Sequence, residues 1–455
     1  LLSDDNFANL RTVPNEKLFG RKAGFGIYYH FDYHGDPISY EWVNSTPITK
    51  AWEQLTTAYD NGIQELWIVN VGDLRPVELP LSYFLALADD YDYWCQPNKT
   101  EEFLNNWTKE QFGKFVDETA LPKISSILNG YTRLNGDIRP EATHPDTLSF
   151  VEGDESMKML KRCDELDNLV NEVKPSIPEN AADSFYGFVE FPTLGSTNLK
   201  RMMLYKGMYD VIDSYGASYA NVLVDKINET IANDIELVRK YNEDMSAGKW
   251  MHMMSSKHVD FKHWNDEDSE YPSVSKKDYP TNGKLLICVD RKAPNSVTEL
   301  PVITNLEKQT IDIWVMSTGN DVIDAVVESE EGVVTSVNKL ADSCEIISVS
   351  VDFNKITSDK NLKITVKALG EEVALTVPAK VYDVTNIDDG TYDESCGVVS
   401  MISDSYVAST GDYLRIDNYG KTGVSMKSYP LRASYDASVA PSLTYKVYIN
   451  NEGSY

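Results

Sequence analysis

Phe-Gly-Ile-Tyr-Tyr-His-Phe-Asp-Tyr-His-Gly-Asp-Pro (residues 25–37) and Glu-Leu-Trp-Ile-Val-Asn-Val-Gly-Asp-Leu-Arg-Pro-Val-Glu-Leu-Pro (residues 65–80) decide how this chain is read. Each opens as a short apolar strand and turns polar at its end. Between them Ile48, Trp52, Leu55 and Tyr59 recur at helical spacing over residues 47–61. Strand, helix, strand in that order predicts a βαβ unit, hence a parallel sheet with a right-handed crossover. Such sheets gather their chemistry at the carboxyl ends of the strands, where His30, Asp32, Tyr33, Asn70, Asp73 and Glu78 fall.

Working outward, residues 1–11 read as a third strand end followed by Asp4, Asp5, Asn6, Asn9 and Arg11. Residues 81–90 predict a short helix, and an aromatic, acidic loop follows over 89–94. A helix is expected after Trp107, with Thr108 and Gln111 as its capping box. Pro122 restarts it, and Ile124, Ile127, Leu128 and Tyr131 carry its stripe to Leu134. Residues 157–173, 184–209, 215–223 and 224–245 suit an antiparallel helical bundle, and 248–280 a long loop. From residue 284 the period falls to two. Strands are expected at 285–289, 297–303, 310–316, 345–353, 362–368 and 373–377, an immunoglobulin-like β-sandwich. An acidic linker (382–395) then leads to a second all-β module from Cys396, whose strand pattern over 443–450 is cut short.

The expected fold class is therefore multidomain, α/β plus all-α plus all-β. Residues 1–147 form the α/β part, 148–283 the helical bundle and following loop, 284–381 the β-sandwich, and 382–455 a truncated β module. Both ends of the chain read as cuts through domains, as in a fragment.

Composition narrows the partners. The net charge of -29 over 455 residues argues against nucleic acid or an anionic membrane, which call for a basic face. No apolar run approaches the roughly 20 residues of a membrane helix. The cysteines (Cys95, Cys163, Cys288, Cys344, Cys396) are odd in number and unpaired in spacing, which speaks for inert thiols over a disulfide scaffold or a zinc site. His252 and His258 are six apart, a spacing that suits no helical metal site, so no metal is expected.

His30 and Asp32 project from one strand face, and Asn70 shares a face with Gly72. Two neighbouring strands would thus aim a His, two or three carboxylates, a Tyr and an amide into one cleft. Paired carboxylates beside aromatic rings are the equipment of glycosidic-bond cleavage. Plainer readings stand beside this one. Asp and Glu after strands commonly cap turns and helices, Glu78 can pair weakly with Arg75, and His30 can be a satisfied interior imidazole. Tyr91, Tyr93 and Trp94 read more readily as packing than as a sugar platform.

These stretches resemble glycoside hydrolase family 115, the xylan α-1,2-glucuronidases. The likeness rests on Ser-Asp-Asp-Asn (3–6) with Asn9 and Arg11, Gly-Ile-Tyr-Tyr-His-Phe-Asp-Tyr-His-Gly (26–35) and Trp-Ile-Val-Asn-Val-Gly-Asp-Leu-Arg-Pro-Val-Glu (67–78). Tyr-Thr-Arg-Leu-Asn (131–135), Arg-Pro-Glu (139–141), Gly-Lys-Trp-Met-His-Met-Met (248–254), His258 and Trp264 extend it. Residues 417–426 and 441–448 are similar to the family's carboxy-terminal module. The resemblance implies that residues 1–147 are the carboxy-terminal part of a catalytic (β/α)₈ barrel. It implies removal of glucuronic acid, often 4-O-methylated, from xylose in glucuronoxylan or aldouronic oligosaccharides, with inversion and without a cofactor.

By the same resemblance Glu78 is the general acid and Asp32 the candidate base, about 6.5–9.5 Å apart in an inverting enzyme. His30, Tyr33, Asn70, Asp73 and Tyr131 line the sugar pocket with Asp5 and Asn6, and Arg139 meets the uronate carboxylate. Asp36 departs from a usual glycine, Phe7-Ala8 from Trp-Gly or Tyr-Gly, and the segment before Pro140 is less basic than usual, which touches substrate range more than reaction class. A catalytically silent carbohydrate-binding relative and an exo-glycosidase for another sugar remain alternatives. The expected location is secreted or periplasmic, the oligomeric state stays open with a homodimer among the choices, and residues 1–455 alone are expected to be inactive or to aggregate.

Overall fold

In residues 26–31 every second side chain, Ile27, Tyr29 and Phe31, is at most 2% exposed, which gives a strand with one fully apolar buried face, while Gly26 and His30 are buried on the other. The structure, a computed structural model, describes residues 1–449 except 263–268, 307–308, 384, 386, 389, 395–397 and 431–432; Trp264 and Cys396 lie outside the described residues. Strands β1 (Leu2–Ser3), β2 (Gly26–His30) and β3 (Leu66–Asn70) pair in parallel in that order, with Tyr28 opposite Ile68 and His30 opposite Asn70. Helix α1 (Ile48–Asp60) buries Ile48, Ala51, Trp52, Leu55 and Ala58, three and four residues apart. The chain leaves it through Gly62, whose φ of 88° favours glycine. Helix α2 (Glu78–Asp89) starts at Glu78 itself rather than after it. Both helices pack on the face carrying Tyr29, Phe31 and Trp67. The other face stays open at β3, where Leu66 is 54% and Ile68 38% exposed. Among the described residues this parallel sheet has three strands.

The helical region corrects several boundaries. The expected loop at 89–94 contains a single-turn helix, α3 (Tyr91–Trp94), because the Asp90 carboxylate accepts the Tyr93 N–H at 3.3 Å. Thr108 caps nothing. It lies inside α4 (Lys99–Phe112), where its buried hydroxyl accepts from the Ser125 hydroxyl of α5 (Ala120–Asp137) at 3.1 Å. The buried stripe Phe103, Leu104, Trp107, Phe112 sets that helix, so the capping pattern there is incidental. The bundle continues with α6 (Glu155–Val173), α7 (Glu179–Phe185), α8 (Phe191–Ser214) and α9 (Ala220–Arg239). A widened turn, Tyr186–Glu190, joins α7 to α8. Residues 215–223 and 224–245 are not two helices. Ala220, Leu223, Val224 and Ile227 form one buried stripe across the expected break.

Helix α8 packs on α5, α6 and α9 and is buried nearly all round, hence its run of Gly, Ser, Thr and Met. Gly207 faces the loop carrying Pro145; a Cβ there would lie 2.2 Å from the Pro145 carbonyl oxygen. Backbone cannot yield as a side chain can. Gly207→Ala is expected to cost about 1–3 kcal/mol despite the better helix propensity of alanine, read as a lower denaturation midpoint.

The sandwich holds two four-stranded sheets. One orders β4 (Leu285–Val289), β6 (Ile311–Ser317), β9 (Cys344–Val351) and β8 (Val333–Ala341); the other orders β5 (Ile303–Thr304), β11 (Glu371–Lys380), β10 (Lys360–Ala368) and β7 (Val326–Ser329). Ile287, Val315, Ile347, Ile364 and Leu375 fill the space between them. β7 and β8 escaped the reading of the sequence because only Val327 and Val333 of their valines reach the core, while Val326, Val334 and Val337 are exposed. The strand expected at 297–303 shrinks to β5. The carboxy-terminal module comprises β12 (Thr391–Asp393), β13 (Ala408–Thr410), β14 (Asp412–Asp417), β15 (Val424–Tyr429), β16 (Ser442–Thr444) and β17 (Lys446–Tyr448). β12 lies inside the expected acidic linker and pairs in parallel with β17, so the module starts earlier than Cys396. The strand pattern expected over 443–450, whose last residue lies outside the described ones, is divided between the two short strands β16 and β17. The β14–β15 hairpin reaches back across the chain: Thr49 Oγ1 donates to the Asn418 carbonyl at 3.0 Å, and Ile416 joins the core under α1.

Candidate functional site

The polar loops leaving β1, β2 and β3 converge at one edge of the sheet. Asp4 is 1% exposed there, although a buried carboxylate is costly unless it is bonded. Its Oδ2 accepts the His30 backbone N–H at 2.9 Å, and its Oδ1 accepts the Asn6 N–H at 2.9 Å and faces His30 Nδ1 at 2.6 Å. A carboxylate only accepts, so the imidazole proton sits on Nδ1. His30 is thereby oriented, with its ring edge-on to Tyr28 and Tyr33. Asp5 instead closes its own loop, accepting from the N–H groups of Phe7 and Asn9 and from Asn9 Nδ2. Asn6 adopts a φ of 67° and its carbonyl accepts from the Tyr40 hydroxyl at 2.7 Å. Tyr33 bridges to Tyr40 through the backbone.

Asp32 lies two residues past β2, half-buried against Gly72. A Cβ at 72 would stand 2.6 Å from the Asp32 carboxyl, and Gly72 has a φ of 54°, so glycine is required there. Asn70 Oδ1 accepts the Gly72 N–H at 3.1 Å and shapes that turn, which leaves Asp73 exposed beyond it. Burial, then Glu41, Glu141 and Asp73, pushes the Asp32 carboxyl up to about 7, with His34 opposing. Glu78, in the first turn of α2, is also pushed up to about 7 by burial, against the pull of backbone N–H and Arg75. Arg75 Nε stands 3.3 Å from Glu78 Oε1. Its Nη1 donates to the Tyr241 hydroxyl at 2.9 Å, and its guanidinium lies 4.0 Å from the Trp250 ring and 5.0 Å from Phe188. Gly187 leaves room for it, since a Cβ would meet Nη1 at 2.6 Å. Tyr131 is buried, and burial together with Glu78 pushes its phenol up. The helical bundle thus builds one wall around Glu78.

These shifts carry a sign. A carboxyl raised in the folded state binds its proton there more tightly than in the unfolded chain. The stability it contributes is complete below about pH 4 and is lost as pH rises through about 7. Chemical denaturation from pH 4 to 7 is expected to show stability falling, with a shallower fall in the Asp32→Asn, Glu78→Gln double variant.

Across the site, Arg139 Nε donates to Ser45 Oγ at 3.1 Å and Nη2 to the Phe7 carbonyl at 3.3 Å, with the guanidinium 4.0 Å from the Tyr40 ring. Lys50 Nζ donates to the same carbonyl at 3.0 Å, and burial together with Arg139 brings it down to about 8. Among the described residues neither cation forms an ion pair. The sequence reading named Arg139 as a candidate but not Lys50, a half-buried residue of α1 that belongs to no motif. It also passed over Asp4 as a partner of His30 and gave no role to Glu141. Glu141 is 2% exposed; its Oε1 accepts the N–H groups of Glu41 and Trp42 at 2.9 and 3.0 Å, while Oε2 has no hydrogen-bond partner. His258 stacks on Trp42 at 3.8 Å and faces both oxygens of Asp234 through Nε2 and the Ser256 carbonyl through Nδ1. Two acceptors favour the doubly protonated ring, and Asp234 raises His258 against its burial.

Asp32 and Glu78 thus stand at an open sheet edge and not among the lining residues of the cavities of 320 to 520 Å³, one of which, of 320 Å³, is lined by Asn9 and Lys50. The fold rule for parallel sheets and the shifted carboxyls weigh more here than cavity size. Among the described residues no cluster of three or more His, Cys, Asp or Glu is placed to hold a metal ion, and no helix is long and apolar enough to cross a membrane.

Comparison with known proteins bears on this edge and on the carboxy-terminal module. The model of glycosyl hydrolase family 115 matches residues 1–142, and that of the family 115 C-terminal domain matches residues 391–455. A search among curated protein sequences gave no match. Among solved structures the chain is similar to one described as a novel family GH115 4-O-methyl-alpha-glucuronidase, BtGH115A, with specificity for decorated arabinogalactans. The TM-score is 0.50 at 19% identity, over 83% of this chain and 53% of that one. This chain therefore spans about half the length of that protein. At this identity the likeness speaks for the fold. The endo-beta-1,4-mannanase from Thermotoga petrophila aligns with a TM-score of only 0.18 at 9% identity, over 79% of this chain and 92% of that one, and carries no argument.

Proposed function

We propose a function from the premise that this chain, matched near both ends by models of glycosyl hydrolase family 115, belongs to that family. It is a glycoside hydrolase acting on glucuronic acid, and in our reading it releases glucuronic acid or its 4-O-methyl ether from xylose in glucuronoxylan by inversion. The observation that carries this is the pair of carboxyls at the carboxyl edge of one parallel sheet, both raised to about 7. A general acid needs a proton at working pH and a general base must lose one, and groups near neutrality serve both needs. Glu78 protonates the leaving glycosidic oxygen, and Asp32 draws a proton from the attacking water. His30, held by Asp4, lines the sugar site with Tyr33, Asn70, Asp73 and Tyr131. Arg139 and Lys50 seat the uronate carboxylate, since both present charge toward one carbonyl and lack an internal ion pair.

In this proposal the uncovered face of β3 belongs to a larger (β/α)₈ barrel, and the protein works outside the cytoplasm, where a polymer can reach it. Decorated arabinogalactan is a second substrate reading, favoured by the specificity described for BtGH115A. Product analysis on the full-length protein decides. Free glucuronic acid from aldouronic acids supports the xylan reading and release only from decorated arabinogalactan the second. Binding of either without release points to a silent carbohydrate-binding relative and ends the catalytic proposal.

A further inference from the structure

A cavity of about 390 Å³ lies between the α/β unit and the returning β14–β15 hairpin, and neither Asp32 nor Glu78 lines it. Register fixes one of its walls. Asp412 pairs with Tyr429 and Leu414 with Lys427, so these four side chains share a face of the hairpin, and all four line the cavity. The opposite wall brings Trp52 and Asp60 of α1 together with Tyr91. Its rings are fixed: Tyr91 stacks on Tyr59 at 3.5 Å, and Trp52 Nε1 donates to the Cys95 carbonyl at 3.0 Å. Tyr429 is 50% exposed and, among the described residues, stacks on no other ring.

Charge selects the occupant. Asp60 and Asp412 set two carboxylates at the cavity, Asp60 accepting from the Tyr91 hydroxyl at 3.4 Å. They oppose an anion such as a uronate or a phosphate. Lys427, in the same wall and held by Glu53 and Thr57, opposes a cation. What remains favourable is an uncharged ring with one apolar face for an aromatic platform and hydroxyls to donate to carboxylates. That is a pyranose, and the volume falls within the roughly 300–1,000 Å³ of small-ligand sites.

We propose that this inter-domain cleft is a second carbohydrate site that binds the neutral backbone of the substrate polysaccharide, with Tyr429 as stacking platform and Asp60 and Asp412 as hydroxyl acceptors. The choice of polymer rests on the glycosidase reading above; the binding chemistry does not. Holding undecorated backbone in the cleft raises the local concentration of decorated units at the sheet edge.

The test is calorimetric titration of the full-length Glu78→Gln protein with xylotetraose, a β-galactotetraose and glucuronic acid. One neutral oligosaccharide is expected to bind, Tyr429→Ala to weaken it roughly five- to tenfold, and Tyr429→Phe to retain it. In the protein with Glu78 intact, Tyr429→Ala is expected to leave turnover of a short aldouronic acid unchanged while raising KM for polymer. Unchanged affinity in a folded Tyr429→Ala protein, or binding of neither neutral oligosaccharide, overturns the proposal. If the protein with Glu78 intact releases no glucuronic acid, the glycosidase reading fails while the titration still stands.

Discussion

Glu78→Gln is expected to lower glucuronic acid release by about 10²–10⁴-fold, the worth of a positioned general acid. Glutamine keeps the shape of the side chain and its place in the first turn of α2 but has no proton to give. The loss should fall on kcat rather than on KM, because sugar contacts made by other residues are untouched. It should also reshape the pH profile. With both carboxyls near 7, the productive form has Glu78 protonated and Asp32 ionised, so the rate peaks near neutrality and falls on both sides. Glu78→Gln removes the alkaline fall from the residual rate, and Asp32→Asn removes the acid one. Turnover of Glu78→Gln within threefold of the parent, measured by glucuronic acid release, would remove Glu78 from the mechanism.

The second large effect is on stability. Asp4→Ala leaves His30 Nδ1, the His30 N–H and the Asn6 N–H without their acceptor in a nearly dry place. Removing one partner of a buried, hydrogen-bonded pair costs about 3–5 kcal/mol. Because β1 has only two residues and one neighbouring strand, its attachment to β2 depends on this carboxylate more than on its ladder. Urea denaturation should show the loss directly. Adding His30→Phe should return part of it, since the orphaned imidazole goes too. A change of under 0.5 kcal/mol in Asp4→Ala would mean the contact contributes little.

What could be read from the residues followed from how each signal arises. The parallel strands and α1 were legible because burial on one face imposes a period, two for Ile27, Tyr29 and Phe31, and three to four for Ile48, Trp52 and Leu55. β7 and β8 were not, because valines stand on both faces, Val327 and Val333 toward the core and Val326, Val334 and Val337 toward solvent, and leave no alternation to find. Thr108 misled because a capping pattern is four residues long and recurs by chance, whereas the stripe from Phe103 to Phe112 is set by packing. In the candidate site, Asp32 and Glu78 were singled out by their place after strands and by resemblance. Lys50, the Asp4 contact and the wall made by Arg75, Tyr241 and Trp250 join residues far apart in the chain, 166 positions in the case of Arg75 and Tyr241. No local pattern encodes such a meeting.

The return of the β14–β15 hairpin to α1 has a bearing on biosynthesis. Thr49 and its partner Asn418 are 369 positions apart. At roughly 5–20 residues per second, a ribosome needs about 20–75 s to bring the second to the first. Throughout that interval Trp52 and Tyr91 present their outer side to the cytosol or to the export machinery. Helix α1 is thus completed by a hairpin made hundreds of residues later, so a nascent chain stays vulnerable to off-pathway association at that face until residue 418 has emerged.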